Sequence, residues 1–277
     1  IMNGSVLPLV ATSALTNVGV SRLLDLISKY CPSPSDFPEV LAKKSVSEEE
    51  VIIAPSPDEA VSLLVYKTIS EPHVGELSFF RVYSGSVKSG IDLKNASRQS
   101  SERLGQLFRM NGKNRKDAAS LNAGDIGAVV KLKNTHTGDT LCDPHLDAEL
   151  PKIKFPPPSI HEAVVTKSKG DEEKIATGLA TLHEEDPTFV YYVDSELKQT
   201  IISGLGELQL EVVVDRLKKK FNVEVDLVEP KVPYRETLKG NGESKYRHQK
   251  QSGGACQFAE VWMRVQSKNR GEGVEFN

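Results

Sequence analysis

Cysteine is scarce in this sequence: three thiols, Cys31, Cys142 and Cys256, are spread thinly over 277 residues. Zinc sites need ligand pairs a few residues apart, and disulfide frameworks need an even, dense set. Neither pattern is present, so no metal site is expected and reduced thiols are the simple reading. There is no apolar run near the roughly 18 residues of a membrane helix, and the first residues do not read as a signal peptide. A cytoplasmic protein without a membrane partner is expected. Charge of one sign is lacking too: 35 Lys and Arg face 38 Asp and Glu, a net charge of −3. The total does not advertise nucleic-acid binding, although a chain of several domains can hide a local basic face in a neutral sum. The six histidines are scattered, and none is framed with a nucleophile. No catalytic residue is assigned. No G-x-x-x-x-G-K-[ST] phosphate loop occurs, which removes the amide cradle and lysine that nucleoside triphosphate hydrolysis needs.

The residues that are present divide by texture. Val6, Leu7, Leu9 and Val10 read as an apolar strand. Val20, Leu23, Leu24, Ile27 and Cys31 then fall at helical spacing before Pro32 and Pro34. Residues 35–60, rich in proline and carrying Glu48-Glu49-Glu50, read as a linker or surface crossing. Over 61–150, short apolar stretches such as "GELSFFRVYSG" and "DIGAVVKL" are punctuated by glycine, a pattern that predicts a small closed β-barrel. Residues 151–230 give strand, helix, strand, strand, helix, strand, the ferredoxin-like βαββαβ order. The helix faces are Ile175, Leu179 and Leu182, and Leu210, Val213, Val214, Leu217 and Phe221. The carboxylates Glu184 and Glu185 fall at a helix end, where solvated surface is expected. A break between the two domains is expected at Pro156-Pro157-Pro158. Residues 231–277 give two further strands around Gly253-Gly254.

The succession of "ATSALTNVGVSRLLDLISKYCPSP", "FFRVYSG", "AGDI", "TGDTLCD", "EEDPTF" and "GLGEL" resembles elongation factor G, the translocase among the translational GTPases. The resemblance implies a multidomain α+β chain: residues 1–34 as the end of the GTPase domain, 61–150 as the domain II barrel, 151–230 as domain III, and 231–277 as the first part of domain IV. It also implies GTP and Mg for the intact protein and neither for this chain, which lacks the switches and the Asn-Lys-x-Asp motif as well as the phosphate loop. The implied partner is the ribosome, through small-subunit RNA and the A-site tRNA and mRNA region, met by a monomer.

Carried over residue by residue, Ser13-Ala14-Leu15 corresponds to the last guanine-binding motif. Arg81, Tyr83, Arg98, Arg103, Arg109, Lys113 and Arg115 become candidate contacts to ribosomal RNA. Gly204, Gly206, Glu207 and Gln209, at a strand-to-helix turn, become candidates for coupling nucleotide state to domain IV. Gln209 stands where the family usually has histidine. "QSGGACQF" resembles the distal tip loop of domain IV, with Gln251, Ser252, Gly253, Gly254 and Gln257 suited to shape and backbone contacts with an A-form helix. The family's Gly-Gly-Arg-Gly-Gln-Tyr-Gly-His is here Gly253-Gly254-Ala255-Cys256-Gln257-Phe258-Ala259-Glu260, so a cation is lost. With "YRHQKQ" and "EPHVGELSFF", this departure marks a divergent elongation-factor-G-like paralogue. The alternatives are a ribosome protection or recycling GTPase of the same superfamily, and a free-standing RNA-binding or ribosome-assembly module.

Overall fold

The computed structural model describes residues 5–276 apart from 38, 46, 48, 72–74, 169, 235, 237, 253, 254 and 270, with backbone alone at 251, 252, 255 and 256. They fall into two units, one of residues 1–194 and 198–230 and one of 195–197 and 231–277.

In the first unit the strand expected from Val6 to Val10 does not form. A strand needs a neighbour to take its N–H and C=O groups, and no ladder reaches this segment among the described residues. Leu7 and Leu9 are 89% and 99% exposed. The helix does form, as α1 (Val20–Tyr30), after a left-handed Gly19 at φ 77°.

Strands follow as β1 (Val40–Lys44), β2 (Glu50–Ile53), β3 (Ser62–Glu71), β4 (Gly75–Ser84), β5 (Ser86–Lys88), β6 (Asp92–Asn95) and β7 (Ser100–Arg103). After them come β8 (Leu107–Asn111), β9 (Asn114–Ala118), β10 (Ser120–Asn122), β11 (Ile126–Val130), β12 (Thr140–Cys142) and β13 (Ala148–Glu149). One sheet runs β7-β6-β12-β3-β4-β11-β8-β9, and β5 pairs β10 separately. Leu93 of β6, Leu107 of β8, Val87 of β5 and Leu121 of β10 share one buried cluster with Val65, Phe80 and Leu141. Strands from both ends of the order thus meet in a single interior, which makes the sheet a barrel. Its end strands β7 and β9 do not pair with each other, so the interior closes by packing rather than by a continuous hydrogen-bonded ring.

Residues 35–60 are not a linker. Val40 pairs with Ile53 and Ala42 with Val51 across a β1–β2 hairpin. Ala42 and Ile53, 1% and 3% exposed, pack with Leu64, Ala148 and Leu150. The small apolar residues alternate onto one face and the acidic ones turn to water: Glu49 bonds Lys44 Nζ at 2.7 Å. The prolines and glutamates that suggested a linker lie around this hairpin.

Residues 151–159, with the three prolines, have no regular structure. Beyond them lie β14 (Ile160–Thr166), α2 (Glu172–Glu185), β15 (Val190–Asp194), β16 (Gln199–Gly204), α3 (Glu207–Phe221) and β17 (Val225–Val228). The sheet order is β15-β16-β14-β17 with every neighbour antiparallel, the ferredoxin-like split βαβ arrangement. Ile175, Leu179 and Leu182 of α2 meet Leu210, Val213 and Leu217 of α3 over this sheet. The helices approach closely at Gly178, where a Cβ would lie 2.6 Å from Leu217 Cδ2.

In the second unit, β18 (Gly242–Ser252) and β19 (Ala255–Val265) form an antiparallel ribbon. Pairs Tyr246–Val261 and Ser244–Met263 share one side. On the other, Lys245 Nζ lies 4.7 Å from the Trp262 ring centre and the Arg247 guanidinium 4.8 Å from that of Phe258.

Candidate functional site at the barrel junction

Helix α2 ends in Glu184-Glu185, followed by its cap residue Asp186. Two carboxylates in the last turn sit at the negative end of the helix dipole, an arrangement the helix alone disfavours. The solvated surface expected for them is not found. The Glu185 side chain is only 8% exposed and accepts from Lys220 Nζ of α3 at 2.6 Å. It also accepts from the Ser70 backbone N–H of β3 at 2.9 Å. Glu184 places Oε1 2.6 Å from His136 Nδ1, and Thr137 Oγ1 donates to its carbonyl at 3.5 Å. Asp186 accepts from Gln209 Nε2 at 3.0 Å and from both Thr188 N–H and Thr188 Oγ1. Three consecutive acids therefore join the barrel, α3 and the turn before α3.

The barrel side of this junction is braced. Glu102, 2% exposed, accepts from the backbone of Lys133 and Asn134 and from Thr135 Oγ1. Asp139 accepts from Asn95 Nδ2, Arg98 Nε and the His136 backbone N–H. These buried carboxylates hold the 131–139 loop, and with it His136 and Thr137, in one conformation. Burial acts to raise the Asp186 pKa, but the bonds from Thr188 and Gln209 outweigh it and hold the carboxyl below the usual carboxylate range.

On the other side, Gln209 uses both ends of its amide. Its Oε1 accepts from Leu205 N–H at 2.7 Å, while Nε2 donates to Asp186 and, at 2.7 Å, to Thr188 Oγ1. A neutral imidazole offers one donor and one acceptor, so this three-way link suits an amide. Gly204 lets α3 side chains lie close: a Cβ there would come 2.8 Å from both Gln209 Oε1 and Leu210 Cδ2, so both would have to shift. Gly206 is under no such constraint, since its φ of −175° is extended and a Cβ would meet nothing within 4 Å. Glu207 is exposed in the first turn of α3.

The candidate RNA contacts are distributed over the barrel and differ in their partners. Arg98 is held by Asp139 at 2.7 Å, Arg103 by Asp92 at 3.7 Å and Arg109 by Asp125 at 3.1 Å. Arg115 is held by Glu71 and lies over Phe108. Lys113 is exposed at the β8–β9 turn. Arg81 has no carboxylate partner among the described residues; its guanidinium lies 5.5 Å from the Tyr83 ring centre. In the ribbon, Gln257 is exposed, Gln251 and Ser252 are described as strand backbone, and Gly253 and Gly254 lie outside the described residues. Ser13 Oγ accepts from Thr16 N–H and Oγ1, with Ala14 and Leu15 exposed beside it. Among the described residues no group of three or more His, Cys, Asp or Glu is placed to hold a metal ion.

Residues 60–144 match the model of elongation factor G domain 2, 155–229 that of elongation factor G, domain III, and 230–277 that of elongation factor G, domain IV. The chain belongs to the elongation factor G family. The barrel thus corresponds to domain II of the family, the split sheet to domain III and the ribbon to part of domain IV. A crystal structure of a protein from Thermus thermophilus is 30% identical, with a TM-score of 0.66, over 90% of this chain. The match spans only 35% of that protein's length. No helix among the described residues is long and apolar enough to cross a membrane.

Sequence reasoning missed the part played by Glu184 and Glu185. The available signal was electrostatic: acids at a helix C-terminus need an external partner to offset the dipole.

Proposed function

We propose that this chain supplies the ribosome-contacting and coupling domains of an elongation-factor-G-like translational GTPase, whose intact form couples GTP hydrolysis to movement of tRNA and mRNA. The observation that carries this reading is the acidic junction. It fastens the domain II barrel to domain III and reaches, through Asp186 and Gln209, the 204–209 turn to which the family resemblance gives the coupling role. Charge-assisted bonds between rigid elements transmit orientation; they perform no bond chemistry. Hydrolysis is therefore assigned to residues outside this sequence.

Ribosome contact on this reading is local and electrostatic despite the net charge of −3. Co-sedimentation of the purified chain with small ribosomal subunits across a salt series tests it. Each phosphate neutralised contributes a slope of about −0.7 to −0.9 in log affinity against log salt. Replacing Arg109 and Lys113 with Ala is expected to weaken association and flatten the slope. No association even at low salt would overturn the proposal.

A further inference from the structure

Between the β1–β2 hairpin and β4 lies a cleft of about 420 Å³, a size within the range of small-ligand sites. Its lining includes Pro34, Phe37, Glu39, Pro55, Arg81 and Tyr83, with buried Ile53 and Val82 beneath. One end is closed where Pro34 rests on Gly124: a Cβ at Gly124, whose φ is +93°, would lie 2.4 Å from Pro34 Cγ.

The chemistry of the wall is uneven in an informative way. Phe37 is 54% exposed although it faces the cleft, so its ring has an uncovered surface. Tyr83 is partly buried against the hairpin and holds Arg81 over its ring. The other four candidate arginines of the barrel each meet a carboxylate, whereas Arg81 has none among the described residues. Glu39 also lines the cleft, and no ion pair joins it to Arg81 among the described residues. The cleft thus presents aromatic and proline surfaces for a flat apolar ring, a carboxylate that accepts N–H bonds, and an unneutralised guanidinium for an anion.

We infer that this cleft binds a nucleoside monophosphate unit, the base lying against the uncovered ring of Phe37, its amino edge bonded to Glu39 and its phosphate held by Arg81, which Tyr83 positions. A plain hydrophobe would leave both charged groups unused, and inorganic phosphate would leave the Phe37 ring bare. The unit comes from an unpaired RNA nucleotide or from a free nucleotide. Assignment to RNA rests on the reading that RNA is the chain's partner, while the site's chemistry does not.

The test is NMR titration of the whole chain, observing the Arg81 Nε–H and Phe37 ring signals, with AMP, inorganic phosphate, a single-stranded trinucleotide and an acidic aromatic dipeptide as separate probes. AMP is expected to shift both signals, and Arg81→Gln and Phe37→Ala are each expected to weaken it about fivefold, equivalent to roughly 1 kcal/mol. Lys219→Gln, at a surface lysine of α3 paired with Asp215 and outside the cleft, serves as the control without effect. Arg81→Lys keeps the charge but not the flat stack and falls between. Thermal midpoints within about a degree of wild type certify that each variant is folded. A trinucleotide binding more tightly than AMP identifies RNA as the source; equal affinity identifies a free nucleotide. The inference is overturned if phosphate alone binds as well as AMP, if the dipeptide binds better, if no probe shifts either signal, or if both variants bind like wild type. Because ribosomes are absent from this titration, failure to co-sediment with subunits leaves its outcome untouched.

Discussion

Replacing Glu185 with Ala isolates the energetics of the junction. The change removes a carboxylate that is 8% exposed, together with its contact to Lys220 and its bond to Ser70 N–H. A charge-assisted hydrogen bond contributes about 1.5–3 kcal/mol, and the orphaned Ser70 N–H adds to the loss. Two terms work the other way. Lys220 and Arg216 are 37% and 48% exposed, so water re-solvates both cations and the penalty of a stranded buried charge is avoided. Removing a negative charge from the helix C-terminus also returns about 0.3–1 kcal/mol. The expected net loss is about 1–2.5 kcal/mol. Glu185→Gln keeps an oxygen for Ser70 and loses only the charge, so it is expected to cost about half as much. Urea unfolding measures both, with the slope against denaturant unchanged and the midpoint lowered. A Glu185→Ala loss within about 0.5 kcal/mol, the range of ordinary surface changes, would refute the argument. So would a Gln variant less stable than the Ala variant.

Two further outcomes follow from the same unit. Asp186 has a folded pKa below its unfolded value, so its contribution is fully present above about pH 5 and is lost as pH falls through the folded pKa. Asp186→Asn is therefore expected to flatten the acid side of the stability profile, measured by unfolding from about pH 6 down to pH 2; an unchanged acid limb would disprove this. Gly178→Val inserts branched methyls where a Cβ already comes within 2.6 Å of Leu217 Cδ2, with Phe221 Cδ2 at 3.2 Å. The expected cost is about 1–3 kcal/mol in the unfolding free energy, and a neutral result would mean that α2 and α3 separate without penalty.

The split βαβ domain was legible because its elements differ in period. Ile175, Leu179 and Leu182 recur at helical spacing and are all buried, while the flanking strands alternate or run apolar. The barrel was legible only in its interior strands. β7, β9 and β10 read Ser-Ser-Glu-Arg, Asn-Arg-Lys-Asp-Ala and Ser-Leu-Asn, with too little apolar alternation to mark a strand. They are strands because neighbours offer them ladders, as when Met110 pairs with Arg115, and pairing across space leaves no local trace. The reverse error befell Val6 to Val10, where apolar content suggested a strand that has no ladder among the described residues. At the junction, the identity of the residues was plain but their surroundings were not. Glu185 is buried by Ser70 and Lys220, which lie 115 residues before it and 35 after. Gly204 shows the limit from another side: its smallness is set by Gln209 and Leu210 folding back on it.

The pairing of β3 with β12, through Leu63 and Leu141, dictates an order of events during synthesis. When β3 and β4 leave the ribosome they can form their hairpin at once, since Ser70 pairs with Glu76 and Ser62 with Ser84. The other edge of β3 then waits for residues 140–142, and β1 waits longer still, for Glu149 to reach Lys43. Through that interval Leu63 and Val65, fully buried in the finished barrel, have no interior to enter. A nascent chain stalled before residue 140 carries an open, apolar strand edge of the kind that associates with other chains. One released after residue 150 has every strand the barrel uses. The distance between those two points is the length over which this barrel depends on being shielded.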